Sequence, residues 1–196
     1  MKSPMKARGA QTGLSMIEVL IALVILLVGL LGLAGMMMQS QRAETESYQR
    51  TQALILLQDM ASRINTNRKV ASCYAVSDAS SGAPFLGNDT TIATPACAAG
   101  TAAQQALAIQ DLQDWSDLLK GASELSTADA KMGAMIGARG CVSFDAASGL
   151  YMISVSWQGL AQTVAPPANW NCAAGQYSDE KQRRVVSITL SIADLG

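Results

Sequence analysis

The sequence contains no histidine. That removes the commonest general base, the serine and cysteine triads built on it, and the usual transition-metal ligand. Basic residues are not in excess either. The whole chain carries a net charge of -1, and Lys2, Lys6 and Arg8 all precede Gly13, which leaves 11 basic and 15 acidic residues, a net of -4, beyond it. A nucleic-acid partner is not indicated. There is no CxxC pair, so zinc sites and thioredoxin-like redox chemistry are poor fits, and no cofactor is implied. The four cysteines, Cys73, Cys97, Cys141 and Cys172, are even in number and all lie in one part of the chain. In an exported domain this reads as a disulfide framework. Cys73 with Cys97 and Cys141 with Cys172 would keep both bridges local. Pairing of Cys73 with Cys141 or with Cys172 stays open until geometry is known.

What is present is one long apolar run, GLSMIEVLIALVILLVGLLGLAGMMM, from Gly13 to Met38. Val19 to Met38 is 20 residues without a charge. At about 1.5 Å per residue this makes roughly 30 Å of helix, the thickness of a hydrocarbon core. The basic residues before the run predict a cytoplasmic N-terminus, which puts the remainder on the periplasmic side. A secretory signal cut near Ala34 and a plain single-pass anchor are the competing readings, but the run is longer than the usual apolar region of a signal peptide. Glu18 is unusual in either. A carboxylate at the mouth of an apolar helix costs free energy unless it is partnered or reaches the interface.

Gly13, Leu14 and Glu18 stand in the register of a known pattern: a short basic leader ending in Gly, a hydrophobic first mature residue, Glu at the fifth position, then a long apolar helix. The chain therefore resembles the type IV prepilins. The resemblance implies cleavage between Gly13 and Leu14 by the prepilin peptidase, N-methylation of Leu14, and pairing of Glu18 with the amino terminus of an adjacent subunit. One departure is Gly35, which stands where major pilins usually carry proline and follows Gly29 and Gly32. Each such glycine costs roughly 1 kcal/mol of helix propensity relative to Ala. They allow close helix packing or mark a segment able to unwind.

Beyond Met38, Leu54, Leu57, Met60 and Ile64 continue one apolar face at helical spacing, and Asn65 to Asn67 should end it. A helix over about 14–64 would be roughly 75 Å long. Residues 71–100 read as a loop closed by Cys73 and Cys97. Thr101 to Gln104 fits a capping box, followed by a stripe of Ala108, Leu112, Trp115 and Leu119. Asp111, Asp114 and Asp117, at three-residue spacing, read as a solvated helix face. Tyr151, Ile153, Val155 and Trp157, and again Val186, Ile188, Leu190 and Ile192, alternate with small polar residues, as half-buried strands do. A third strand over Cys141 to Phe144 completes an antiparallel sheet packed on the long helix. Between the last two strands runs a long loop that Cys172 would tie down.

The expectation is an α+β chain of the pilin-like lollipop form. Residues 1–13 would be a removed leader, 14–38 the membrane and assembly half of the long helix, and 39–196 a periplasmic globular domain. The segments IQDLQDWSDLL, GCVSFD and RRVVSITLSIADL are similar to those of one minor-pilin subfamily. By that resemblance the partners would be other minor pilins, the major pilin, the prepilin peptidase, the inner-membrane assembly platform and a tip adhesin. The protein would begin as a single-pass inner-membrane protein and end in an extracellular pilus, supporting adhesion and twitching motility. A minor pseudopilin of a type II secretion system shares the leader and helix, but is usually shorter and poorer in cysteine. A membrane-anchored periplasmic enzyme or sensor belongs to a different class, and no spacing nominates a catalytic pair.

Overall fold

The computed structural model describes residues 13, 15–88, 90, 97–121 and 135–193. Two compact units divide the chain, residues 1–43 and 44–196. Helix α1 (Met16–Thr66) contributes to both. It starts where the Ser15 carbonyl accepts the N–H groups of Glu18 at 3.0 Å and Val19 at 3.3 Å. Continuity follows from composition, since the helix holds no proline and its three glycines, Gly29, Gly32 and Gly35, are isolated.

In the second unit, the later part of α1 buries Gln49, Ala53, Leu56, Leu57, Met60 and Ile64. These recur every three or four residues and so share one face. Leu54, expected on that face, is 41% exposed instead. Ala53 lies four residues before Leu57 and eleven before Ile64, nearer the centre of the stripe, and Leu54 is turned a further 100° away. The helix ends at Asn67, whose side chain donates to the Gln104 carbonyl at 2.9 Å and to the Tyr74 hydroxyl at 3.2 Å. A short 3-10 helix, Arg68–Tyr74, follows.

Helix α2 (Ala102–Leu119) carries the capping box foreseen for it: the Gln104 N–H donates to Thr101 Oγ1 at 3.3 Å, and the Thr101 N–H to Gln104 Oε1 at 3.0 Å. Its stripe of Ala108, Leu112, Trp115 and Leu119 is wholly buried. Strands β1 (Leu86–Gly87), β2 (Ile136–Asp145), β3 (Leu150–Gln158) and β4 (Arg183–Ser191) form one antiparallel sheet in sequence order. Strand β1 falls inside the 71–100 segment that the sequence presents as loop; two residues are too few to show a period. Parts of that segment, residue 89 and residues 91–96, lie outside the described residues.

One sheet face carries Val142, Tyr151, Ile153, Val155 and Trp157 into the core with α1 and α2. The Trp115 ring lies over Gly140, where any Cβ would run into the indole and Leu119. The indole N–H donates to the Leu56 carbonyl at 2.9 Å, joining α2 to α1. Similarly, Trp157 Nε1 donates to Gln49 Oε1 at 3.2 Å. The α+β expectation of a long helix with an antiparallel sheet holds.

The other sheet face departs from the half-buried expectation. Ser154 and Ser156, its small polar residues, are buried. The loop between β3 and β4 covers them, with Tyr177 Oη 3.0 Å from Ser156 Oγ and Cys172 beside the same hydroxyl. Arg183 holds the loop from beneath, donating to the carbonyls of Trp170 at 2.7 Å and Cys172 at 3.3 Å and pairing with Glu180 at 2.6 Å.

Two disulfides are present, Cys73–Cys97 and Cys141–Cys172, with Cα separations of 5.2 and 5.8 Å. The second pins the loop to β2 across 31 residues of chain. In the chain-entropy model a loop of that length is worth about 3–4 kcal/mol. Replacing both Cys141 and Cys172 with serine is therefore expected to lower unfolding stability by about that amount, read as a shift in the urea midpoint of the full chain in detergent.

Candidate assembly and processing segment

In the first unit, every large apolar side chain from Met16 to Met38 is 47–91% exposed. An uncovered apolar surface of this extent is not tolerated by a soluble monomer and marks a membrane or protein contact. This part of α1 is the one helix among the described residues long and apolar enough to cross a membrane, with a mean hydropathy of 2.9 over its most apolar stretch. Gly29, Gly32 and Gly35 have open space where a Cβ would stand, so nothing within this chain requires them to be glycine.

Glu18 lies in the first turn of this helix, exposed, where a carboxylate is favoured by the unsatisfied N–H groups of the helix start. Gly13 is placed just before the helix and is also exposed. Leu14 and the leader residues Lys2, Lys6 and Arg8 lie outside the described residues. The arrangement is a charged helix tip above an apolar shaft. It offers a carboxylate to a cation beside it and otherwise only van der Waals surface.

The second unit holds a polar cluster that sequence reading missed. Asp111, expected on a solvated face with Asp114 and Asp117, is buried. One of its oxygens accepts from Arg63 at 2.9 Å and the other from the Tyr74 hydroxyl at 2.6 Å. Arg63 also pairs with Asp59 at 2.8 Å and stands 3.7 Å from Asp114. Asp117 fits the solvated reading better, half exposed beside Lys120 at 3.7 Å. The cluster ties the end of α1 to α2 and the 3-10 helix. It is structural chemistry: every member is engaged by another.

Burial, and then the hydrogen bond to the Asp111 carboxylate, push the Tyr74 hydroxyl well above its ordinary pKa. The folded state therefore holds the Tyr74 proton at pH values where the unfolded chain, titrating near 10, releases it. Its contribution to stability is complete below about pH 10 and is lost as pH rises from there toward the folded value. Thermal unfolding midpoints measured from pH 8 to 11.5 are expected to fall above 10, and Tyr74→Phe should flatten that fall. Tyr151 and Tyr177, whose hydroxyls burial also raises, act in the same direction.

No group of three or more metal-ligating side chains is gathered among the described residues. Residues 8–34 match the family model described as the prokaryotic N-terminal methylation motif. The match covers the leader end, Gly13, Leu14, Glu18 and most of the apolar shaft, and leaves the second unit unmatched. No curated protein and no solved structure matches the chain. The motif, the apolar helix and the helix-on-sheet fold together support a type IV pilin-like protein, a pilin or a pseudopilin. Proteins of this class are structural subunits, anchored in the membrane before assembly, that work with other pilins and the assembly machinery.

Proposed function

We propose that the chain is a minor subunit of a type IV pilus, similar to PilV, the pilus modification protein. It helps to prime assembly and takes its place in the tip complex, so that adhesion and twitching motility depend on it indirectly. The observation that carries this reading is the methylation motif in register with Glu18 at the head of an uncovered apolar helix. The prepilin peptidase cuts between Gly13 and Leu14 and methylates Leu14. Before assembly the chain spans the inner membrane once, with the N-terminus in the cytoplasm and residues 39–196 in the periplasm. Glu18 then pairs with the new amino terminus of a neighbouring subunit.

Helical subunits packed head to tail grow an open filament. A subunit whose globular surface fits only certain neighbours starts such a filament without propagating it. The disulfide-tied regions 71–100 and 159–184 support this role, because the latter exposes Leu160, Val164 and Trp170 in one irregular loop. The same two regions favour a pilus over a secretion pseudopilus, whose corresponding subunits are shorter and poorer in cysteine.

The test is the amino-terminal residue and intact mass of the membrane-extracted protein, in cells with and without prepilin peptidase. A chain beginning at methylated Leu14 only where the peptidase is present is expected. An intact Met1 in both would leave a plain anchor, and a cut near Ala34 would mean a secreted domain.

A further inference from the structure

The two edges of the sheet are finished differently. On one side β1 is only two residues long, and its Gly87 N–H is taken by Ser116 Oγ at 3.0 Å. On the other, β4 runs for nine residues, with no strand beyond it among the described residues. Its outward backbone groups can be assigned. The Gly159 N–H donates to the Gln182 carbonyl at 2.8 Å, and the β3–β4 register continues from that pair without a shift. Antiparallel pairs alternate between bonded and non-bonded. Arg184, Val186, Ile188 and Leu190 therefore bond to β3, while Val185, Ser187, Thr189 and Ser191 turn their N–H and C=O groups outward.

Natural edges are blunted by lysine, proline, bulges or covering loops. Val185 to Ile192, VVSITLSI, has no lysine, proline or charge, and its pairing with β3 has no bulge. At the start of the strand lies an open cleft lined by Glu46, Ser47, Arg50, Trp157 and Arg184. Arg184 is committed there to Glu46 at 3.2 Å and to the Ala161 and Lys181 carbonyls. Arg50 is exposed and makes no ion pair among the described residues. A bare hydrogen-bonding edge beside an unneutralised cation suits an extended backbone that carries a carboxylate.

We propose that β4 receives an extended acidic segment of a neighbouring, unlike subunit, which adds as a further strand and places a carboxylate against Arg50. This rests on the pilin reading above and adds, beside the two disulfide-tied regions, a further surface that selects the partner. A second copy is the poorer occupant, because two β4 strands paired about a two-fold close on themselves and leave no edge for a head-to-tail contact.

Residue-resolved hydrogen exchange of the full chain in detergent, alone and mixed in turn with each purified pilin of the same cell, tests the proposal. In one mixture the amides of Val185, Ser187, Thr189 and Ser191 are expected to slow at least tenfold. Thr189→Pro removes an outward N–H only, so it should keep the fold yet weaken that binding at least tenfold. Ile188→Pro, which removes an inward bond, is the control expected to unfold. Arg50→Gln, on an exposed helix position, tests the cleft independently of the sheet and should also weaken binding. A pilin that binds with the β4 amides still exchanging freely, or that binds both variants as it binds the parent, would overturn the proposal and leave the pilin reading intact. Protection seen only on self-association would also overturn it. An uncut amino terminus and no pilin bound would remove the reading on which it rests.

Discussion

Trp115→Ala is expected to destabilise the second unit by about 3–5 kcal/mol, the cost of deleting a large aromatic side chain from a packed core. Three contacts converge on this one residue. It has no solvent exposure, its ring fills the space that Gly140 leaves empty on β2, and its N–H is the partner of the Leu56 carbonyl in α1. Truncation opens a cavity between all three elements and removes the donor that links the Leu56 carbonyl to α2, leaving that carbonyl only its bond within the helix. For a domain of this size the loss corresponds to a fall of roughly 6–20 °C in unfolding midpoint. Trp115→Phe separates the two terms: it keeps most of the ring volume, removes the N–H, and should cost about 1–2 kcal/mol. A loss for Trp115→Ala no larger than for Trp115→Phe would mean that the hydrogen bond, not the packing, holds the helices together.

Trp115 itself was legible in the sequence, because the stripe at 108, 112, 115 and 119 is a local pattern. So were the capping box of α2 and the alternation of β3 and β4. What escaped was decided by partners far along the chain. Asp111 has the same neighbours in sequence as an exposed helix carboxylate. Its burial comes from Arg63, 48 residues away, and Tyr74, 37 residues away. Ser154 and Ser156 have the small polar character of a solvent face and are buried only because a later loop folds over them. Leu54 was misplaced for a different reason: adjacent apolar residues on a helix differ by 100°, and Ala53, the smaller one, sits nearer the centre of the buried face. The methylation motif is at the opposite extreme. Gly13, Leu14 and Glu18 lie within six residues, and the motif match over residues 8–34 rests on local spacing of this kind, so no fold enters that reading.

That spacing carries the second large effect. Glu18→Gln is expected to leave membrane insertion and cleavage intact and to reduce incorporation of the subunit into filaments by roughly 10- to 100-fold. Gln keeps the size and nearly the helix propensity of Glu, so the first turn of α1 is undisturbed. Losing the charge makes transfer into the bilayer easier, not harder. On the pairing proposed above, what is lost is the charge-assisted bond to the amino terminus of a neighbour, worth about 1.5–3 kcal/mol where water is excluded. At 1.4 kcal/mol per tenfold this gives the stated range. Immunoblots of sheared filaments against membrane fractions, with the amino terminus sequenced in each, read the two steps separately. Normal incorporation of the Gln variant would leave the exposed apolar shaft as the whole driving force for assembly and Glu18 without a part in it. Loss of cleavage together with incorporation would assign the carboxylate to recognition by the peptidase instead.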